Sequence, residues 1–311
     1  MKIQGIAKFG LINFIVPSSF ASGAKTLLHV CSSNGLLTVK DCSFTKMEES
    51  GENMINFGLI RADGGTVQLE FVTIQSLCLT KDIISVLSST ILNIKNSTMK
   101  NVELDGASGL SITKSSRRES DEFEQDVVIE WSSFEEVTQN TTDDTPIIRN
   151  KNDEEPLKMV VRNITMMKCG GLKCGKGGGM FSVLNEGGNF DCSFCTIFEC
   201  FCSTTGRGGW LFLEFTSTAE QPLNLVLSNI TFRDNSAFRG RDVNVRCHSI
   251  DAQIVDVQFL QDFRAPFEEL AIWGCTTDSF IGEEDLPLRV VKYQREITLV
   301  SVTVNNHADI K

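Results

Sequence analysis

Six of the eleven cysteines, Cys169, Cys174, Cys192, Cys195, Cys200 and Cys202, crowd into 34 residues. Cys169-x4-Cys174 followed by Cys192-x2-Cys195 has the look of a zinc ribbon, where four thiolates converge from two tight turns on a tetrahedral ion. In an oxidising compartment Cys169, Cys174, Cys200 and Cys202 are instead candidates for a disulfide. Gly170 to Gly177 nearly spells a phosphate-binding loop, but Gly177 follows Lys176 where the metal needs Ser or Thr. That stretch reads as a loop, and no cofactor is expected. Asp143-Asp144 with Arg149 and Lys151 places carboxylates beside cations, the residue types that glycoside cleavage needs. His29, His248 and His307 have no partner that the sequence identifies. Asn96, Asn140, Asn163 and Asn229 each precede Ser or Thr by two and are candidates for glycosylation.

Most of these residues fall into a repeat. An eight-residue template ends on Phe44, Ile74, Met99, Phe134, Met166, Ile197, Phe232, Phe259 and Val304. Taking that residue as position 0, positions −5 and −7 are apolar in all nine copies. Positions −7 and −5 alternate as a strand does, and so do −2 and 0. The odd step between −5 and −2 throws the second pair onto the other face unless the chain bends. Position −3 is Asn or Asp in five copies, and these residues best tolerate a left-handed corner. The template is therefore a strand, a corner and a second strand. Cys192 and Cys195 occupy positions −5 and −2, which favours core thiols over zinc, and no metal is expected. Asn96, Asn163 and Asn229 all stand at −3, so the repeat itself generates those sequons; only Asn140 is independent of it.

A third apolar segment follows each template, as in Met54 to Phe57, Ile83 to Val86, Met180 to Val183 and Trp210 to Leu213. Three short strands per repeat, with one variable loop, describe an all-β, single-stranded, right-handed parallel β-helix of about nine coils. It forms one domain over 1–311, with coils from about 11 to 281 and a terminal loop and last strand over 282–311. The polar stretches 115–126 and 138–155 are expected to project as long loops. Phe263 to Ile272 has the pattern of a short helix. Leu11 to Val16 reads as a first buried strand, with a signal peptide over Met1 to Ala24 as the alternative.

The segment Phe232-Arg233-Asp234-Asn235 resembles the Phe-x-x-Asn motif of polymorphic outer membrane protein repeats. Gly208-Gly209-Trp210-Leu211 and Gly178-Gly179-Met180-Phe181 are similar to that family's Gly-Gly-Ala-aliphatic motif, with the alanine replaced. The pattern also resembles β-helix surface proteins of flagellate protists. The resemblance implies a pectin-lyase-like helix displayed at a cell surface. Asp143-Asp144 and Arg149-x-Lys151 resemble part of the polygalacturonase set, whose Asn-Thr-Asp and Gly-His-Gly elements are absent.

Twenty-nine Lys and Arg against forty Asp and Glu give a net charge of −11, which argues against a nucleic-acid partner. The absence of an 18-residue apolar run excludes a spanning helix. The expected function is a non-catalytic structural, adhesion or recognition module, extracellular or at the cell surface, with a cytoplasmic protein as the alternative. A surface protein or a carbohydrate is the expected partner, contacted through the two long loops. End-to-end association, or membership of a longer chain, is expected because the terminal strand edges lack an evident cap. The rival reading is a polysaccharide lyase or hydrolase on the same fold, which an ordered groove with converging carboxylates beside Arg or Lys would favour.

Overall fold

The computed structural model describes residues 1–17, 25–46, 54–87, 90–113, 127–140, 147–151, 158–171, 178–184, 188–202, 206–215, 223–237, 242–247, 249–260, 270–274, 288–290, 296–297 and 302–305. These residues form a parallel β-solenoid, with no helix among them. The first wall stacks Ile6–Gly10, Leu36–Lys40, Thr66–Glu70, Ile91–Lys95, Val127–Glu130 and Lys158–Arg162. The second stacks Asn13–Val16, Ser43–Lys46, Thr73–Leu79, Thr98–Leu104, Ser133–Gln139 and Thr165–Met167. The third runs in order from Lys2–Ile3 through Thr26–Val30, Gly58–Ala62, Ile84–Leu87 and onward to Leu270–Gly274.

Six turns have this three-strand form, fewer than the nine coils expected. Beyond Met167 the template's two strands run together across the corner as Asn189–Phe198, Leu223–Arg233 and Ser249–Leu260. The last template copy is no coil at all: Glu296–Ile297 and Val302–Asn305 pair antiparallel with Ser249–Leu260. Leu288–Val290 likewise pairs antiparallel with Leu270–Gly274. At the other end the repeat gains a copy. Ala7, Phe9 and Phe14 take positions −7, −5 and 0, with Phe9 opposite Val39 and Phe14 opposite Phe44. The buried strand expected over Leu11 to Val16 begins only at Asn13, past a corner at Leu11, and of its residues only Val16 is buried.

The core follows the template. Val39, Leu69, Ile94, Ile129, Val161, Cys192, Leu227 and Ile254 are successive partners in one ladder, and those through Leu227 are buried. The zero column packs beside it, with the Phe14 and Phe44 rings stacked at 4.6 Å. Every −3 residue from Leu11 to Asp256 has positive φ, near 50°, including Phe71, Trp131 and Phe194. Polar −2 side chains close the corner. Ser97 Oγ donates to the Lys95 carbonyl at 2.8 Å, Ser132 Oγ to Glu130 at 2.8 Å, and Cys42 Sγ to Lys40 at 3.0 Å. Ser97 and Ser132 also accept the amide N–H of Val72 and Ser97 one turn back, which the bend takes out of the ladder.

Two expected boundaries move. The stretch 138–155 is not one loop, because Ile148–Lys151 forms a third-wall strand with Ile147 and Ile148 buried at its start. The segment at Met54 to Phe57 gives way to a strand at Gly58–Ala62. Of the expected helix, Leu270 to Ile272 lie in a strand and the rest lies outside the described residues.

Candidate functional site

The chain turns through a second left-handed corner two residues after position 0, at Ser76, Asn101, Glu136, Lys168, Glu199 and Asp234. The odd step to the next buried residues, Leu77, Val102, Val137, Cys169, Cys200 and Asn235, again forces a bend if both are to face the core. Positions +2 and +4 of successive turns therefore stand side by side on the outside. Ser76 and Cys78, Asn101 and Glu103, Glu136 and Thr138, Lys168, then Glu199 and Phe201 line one open groove of about 780 Å³. It runs across five turns.

The groove's charges are partly paired. Lys168 Nζ lies 3.6 Å from Glu136 Oε1, each about half exposed. Cys78 Sγ donates to Glu103 at 3.2 Å. On the neighbouring outer face Lys100 and Glu135 pair at 2.7 Å. The remaining groove side chains include Glu199, Asn101, Thr138 and Phe201, a mixed surface of carboxylate, amide, hydroxyl and aromatic groups.

Along the first corner a different column faces out. Leu11 is 87% exposed, Phe71 47%, Trp131 61% and Phe194 59%. Asp41, Asn96 and Asn163 occupy the intervening turns. Beside them position −4 carries Lys40, Glu70, Lys95, Glu130 and Arg162. These pair across turns as Lys40–Glu70 at 3.1 Å and Lys95–Glu130 at 3.0 Å, while Arg162 meets Asp191 at 2.6 Å.

The cysteines singled out from the sequence mostly face inward. Cys192 and Cys195 hold interior strand positions with their sulfurs 3.3 Å apart. Burial, and then the Cys195 neighbour, push the Cys192 thiol well above its usual range. Burial, and then Cys169, raise Cys200 in the same way. Protonated, water-excluded thiols are poor nucleophiles and poor metal ligands. Cys169 and Cys200 are buried free thiols, Cys202 is buried, and Cys174 lies outside the described residues.

Of the set Asp143, Asp144, Arg149 and Lys151, only the two cations are described. Arg149 sits on the third wall, 3.7 Å from Asp82, and its Nη2 donates to Ser111 Oγ at 3.2 Å. Lys151 ends the same strand, while Asp143 and Asp144 lie outside the described residues. His29, left without a partner by the sequence, stands 2.7 Å from Asp63, which also accepts from Arg61 at 2.8 Å. His248 and His307 lie outside the described residues, as do residues 115–126, 141–146 and 152–155 of the two long stretches. Asn96, Asn140 and Asn229 are exposed and Asn163 half-buried.

The Phe-x-x-Asn segment is structural. Phe232 fills the core against Trp210, with ring centroids 5.3 Å apart. Asn235 turns inward just past the second corner. It accepts from the Cys200 amide at 2.7 Å and donates to the Ile197 carbonyl and to Asp242.

The groove escaped the sequence because its corner residues are chemically unlike one another. The signal available was the spacing of Leu77, Val102 and Val137 after position 0. No family model, curated protein or solved structure matches this chain.

Proposed function

We propose that the protein is a non-catalytic recognition module, displayed outside the cell, whose second-corner groove holds an elongated ligand along the solenoid axis. The observation that carries this is the groove's continuity over five turns, built from position +2 in every turn and position +4 in four of them. A rigid solenoid offers such a surface without the ordering cost that a flexible loop incurs on binding. Its mixture of carboxylate, amide, hydroxyl and aromatic groups suits a polar polymer, a carbohydrate strand or an extended peptide. The exposed sequon residues Asn96, Asn140 and Asn229 are compatible with an extracellular setting.

The test is a combined glycan and peptide array probed with the intact chain and with the Asn101→Arg/Thr138→Arg double variant. Defined hits that vanish in the variant, with the β-rich circular dichroism spectrum unchanged, support groove recognition. Hits that the variant retains remove the groove from the function.

A polysaccharide hydrolase is the second reading, and one observation favours it. Glu136 and Glu199 occupy equivalent corners two turns apart, with Lys168 between them. Two strand spacings put their backbones about 9.6 Å apart, near the carboxylate separation that inverting hydrolysis uses. Against it, Glu136 already pairs with Lys168 at an open, half-exposed site. Release of reducing ends from a polysaccharide panel, abolished by Glu136→Gln and by Glu199→Gln, would establish the enzyme.

A further inference from the structure

The first corner breaks two rules at the same residues. Phe71, Trp131 and Phe194 hold left-handed backbone, at φ 53°, 53° and 55°, where bulky side chains are strained and Asn or Asp would be relaxed. Each also exposes about half or more of its apolar surface, and Leu11, at φ 57°, exposes still more. Neither core packing nor corner geometry calls for these residue types, since Asp41, Asn96, Asn163 and Asn229 make the same bend. Strain and exposure that recur without structural benefit point to a ligand.

The order of the column says which kind. Leu11, Phe71, Trp131 and Phe194 stand on the first, third, fifth and seventh turns, with Asp41, Asn96 and Asn163 on the turns between. Consecutive apolar members are therefore about 9.6 Å apart, two strand spacings. That is close to the two-ring repeat of an extended β-1,4-linked sugar chain, in which every second ring presents the same face. Aromatic rings stack against the C–H face of a sugar, while the intervening carboxylate and amides reach its hydroxyls. The flanking charges are matched in pairs, so the strip carries little net field and selects an uncharged chain.

We infer that the first corner is a binding platform for a neutral, extended β-linked glycan, separate from the second-corner groove. Phe71 is the most shielded of the four, with Lys40 Nζ 5.7 Å from its ring centroid. Trp131 and Phe194 are therefore the principal stacking surfaces.

The probes are cellohexaose, its α-linked counterpart maltohexaose, and polygalacturonate, titrated calorimetrically into the full chain made in a bacterial host. Cellohexaose should bind, and Trp131→Ala or Phe194→Ala should each weaken it about tenfold. The Asn101→Arg/Thr138→Arg groove variant should bind it like the parent chain. Trp131→Asn should lose binding while raising the thermal midpoint, because the corner strain is relieved. Absence of cellohexaose binding, equal binding of maltohexaose or polygalacturonate, or full binding by Trp131→Ala would overturn the inference. So would a lower midpoint for Trp131→Asn, which would make the indole a packing group.

Discussion

Asn235 shows how much a solenoid asks of one buried polar side chain. The left-handed residue Asp234 takes the chain out of ladder geometry, and the Asn235 amide group then meets both the Cys200 N–H and the Ile197 carbonyl. Asn235→Ala strands both groups in a water-free interior and should cost about 2–4 kcal/mol in urea unfolding. Asn235→Asp should be at least as damaging, since it sets a second carboxylate beside Asp242. On the third wall, partial burial works to raise the Asp63 pKa, but hydrogen bonds from Arg61 and His29 outweigh it, and the net direction is down from 3.8. A depressed carboxylate stabilises the fold above its unfolded pKa, and that contribution fades as pH falls through the lower folded value. Thermal midpoints of Asp63→Asn should therefore lie below the parent's near neutrality. The two curves should converge as the pH drops below 3.8. Parallel curves would show that the ion pairs contribute nothing.

At the level of the strand and corner, much of the architecture could be read from parity alone. Apolar residues at −7, −5, −2 and 0 demand a bend at −3, and the structure bends there in nine turns. Composition was the weaker guide. The first turn was hidden because Leu11 and Ile12 run on into Phe14 to Val16 and read as one apolar strand, and the antiparallel return of Val302–Asn305 mimicked one more turn. A strand sees only its own alternation, whereas the direction of its neighbour is set by the chain that returns it. The groove was readable in principle from the second odd step, from 0 to +3, but its corner residues share no chemistry. The exposed aromatic column was not readable, because a large residue in a repeat is by default a core residue. Corner closure is testable at Ser97, which donates to Lys95 and accepts from the Val72 amide. Ser97→Ala should cost about 1–2 kcal/mol, and Ser97→Cys should cost less, since Cys42 makes the same closure with a thiol.

For the molecule as a whole, each turn touches only its neighbours, so stability spreads along the axis rather than inward to a centre. Among the described residues, the first-turn strands Lys2–Ile3, Ile6–Gly10 and Asn13–Val16 each have one paired neighbour, and Phe9 and Phe14 are half-buried. Hydrogen exchange should therefore be fastest there and slowest from Thr66–Glu70 to Lys158–Arg162. Protection that peaks in the first turn would contradict a linear stack. Leu227 lies in the buried ladder between Cys192 and Ile254, and Leu227→Asp buries an unpaired charge between two turns. Its effect should exceed about 4 kcal/mol, and exchange should rise first in the turns that flank it.

The corner column gives the outside of this molecule a different arithmetic from its inside. The core repeats with every turn, whereas from Leu11 to Asn229 the apolar and polar corners alternate, so over those eight turns the first-corner surface repeats with every second turn; Asp256 on the ninth ends the alternation. Duplicating or deleting one whole turn would leave the hydrophobic ladders in register and the fold intact. It would nevertheless set two like corners side by side and shift everything beyond them half a period out of phase. Duplications of two turns would preserve both patterns. The interior can count turns in ones, but the exterior counts them in pairs, and a lineage that lengthens this chain while keeping its outer face must grow by even steps.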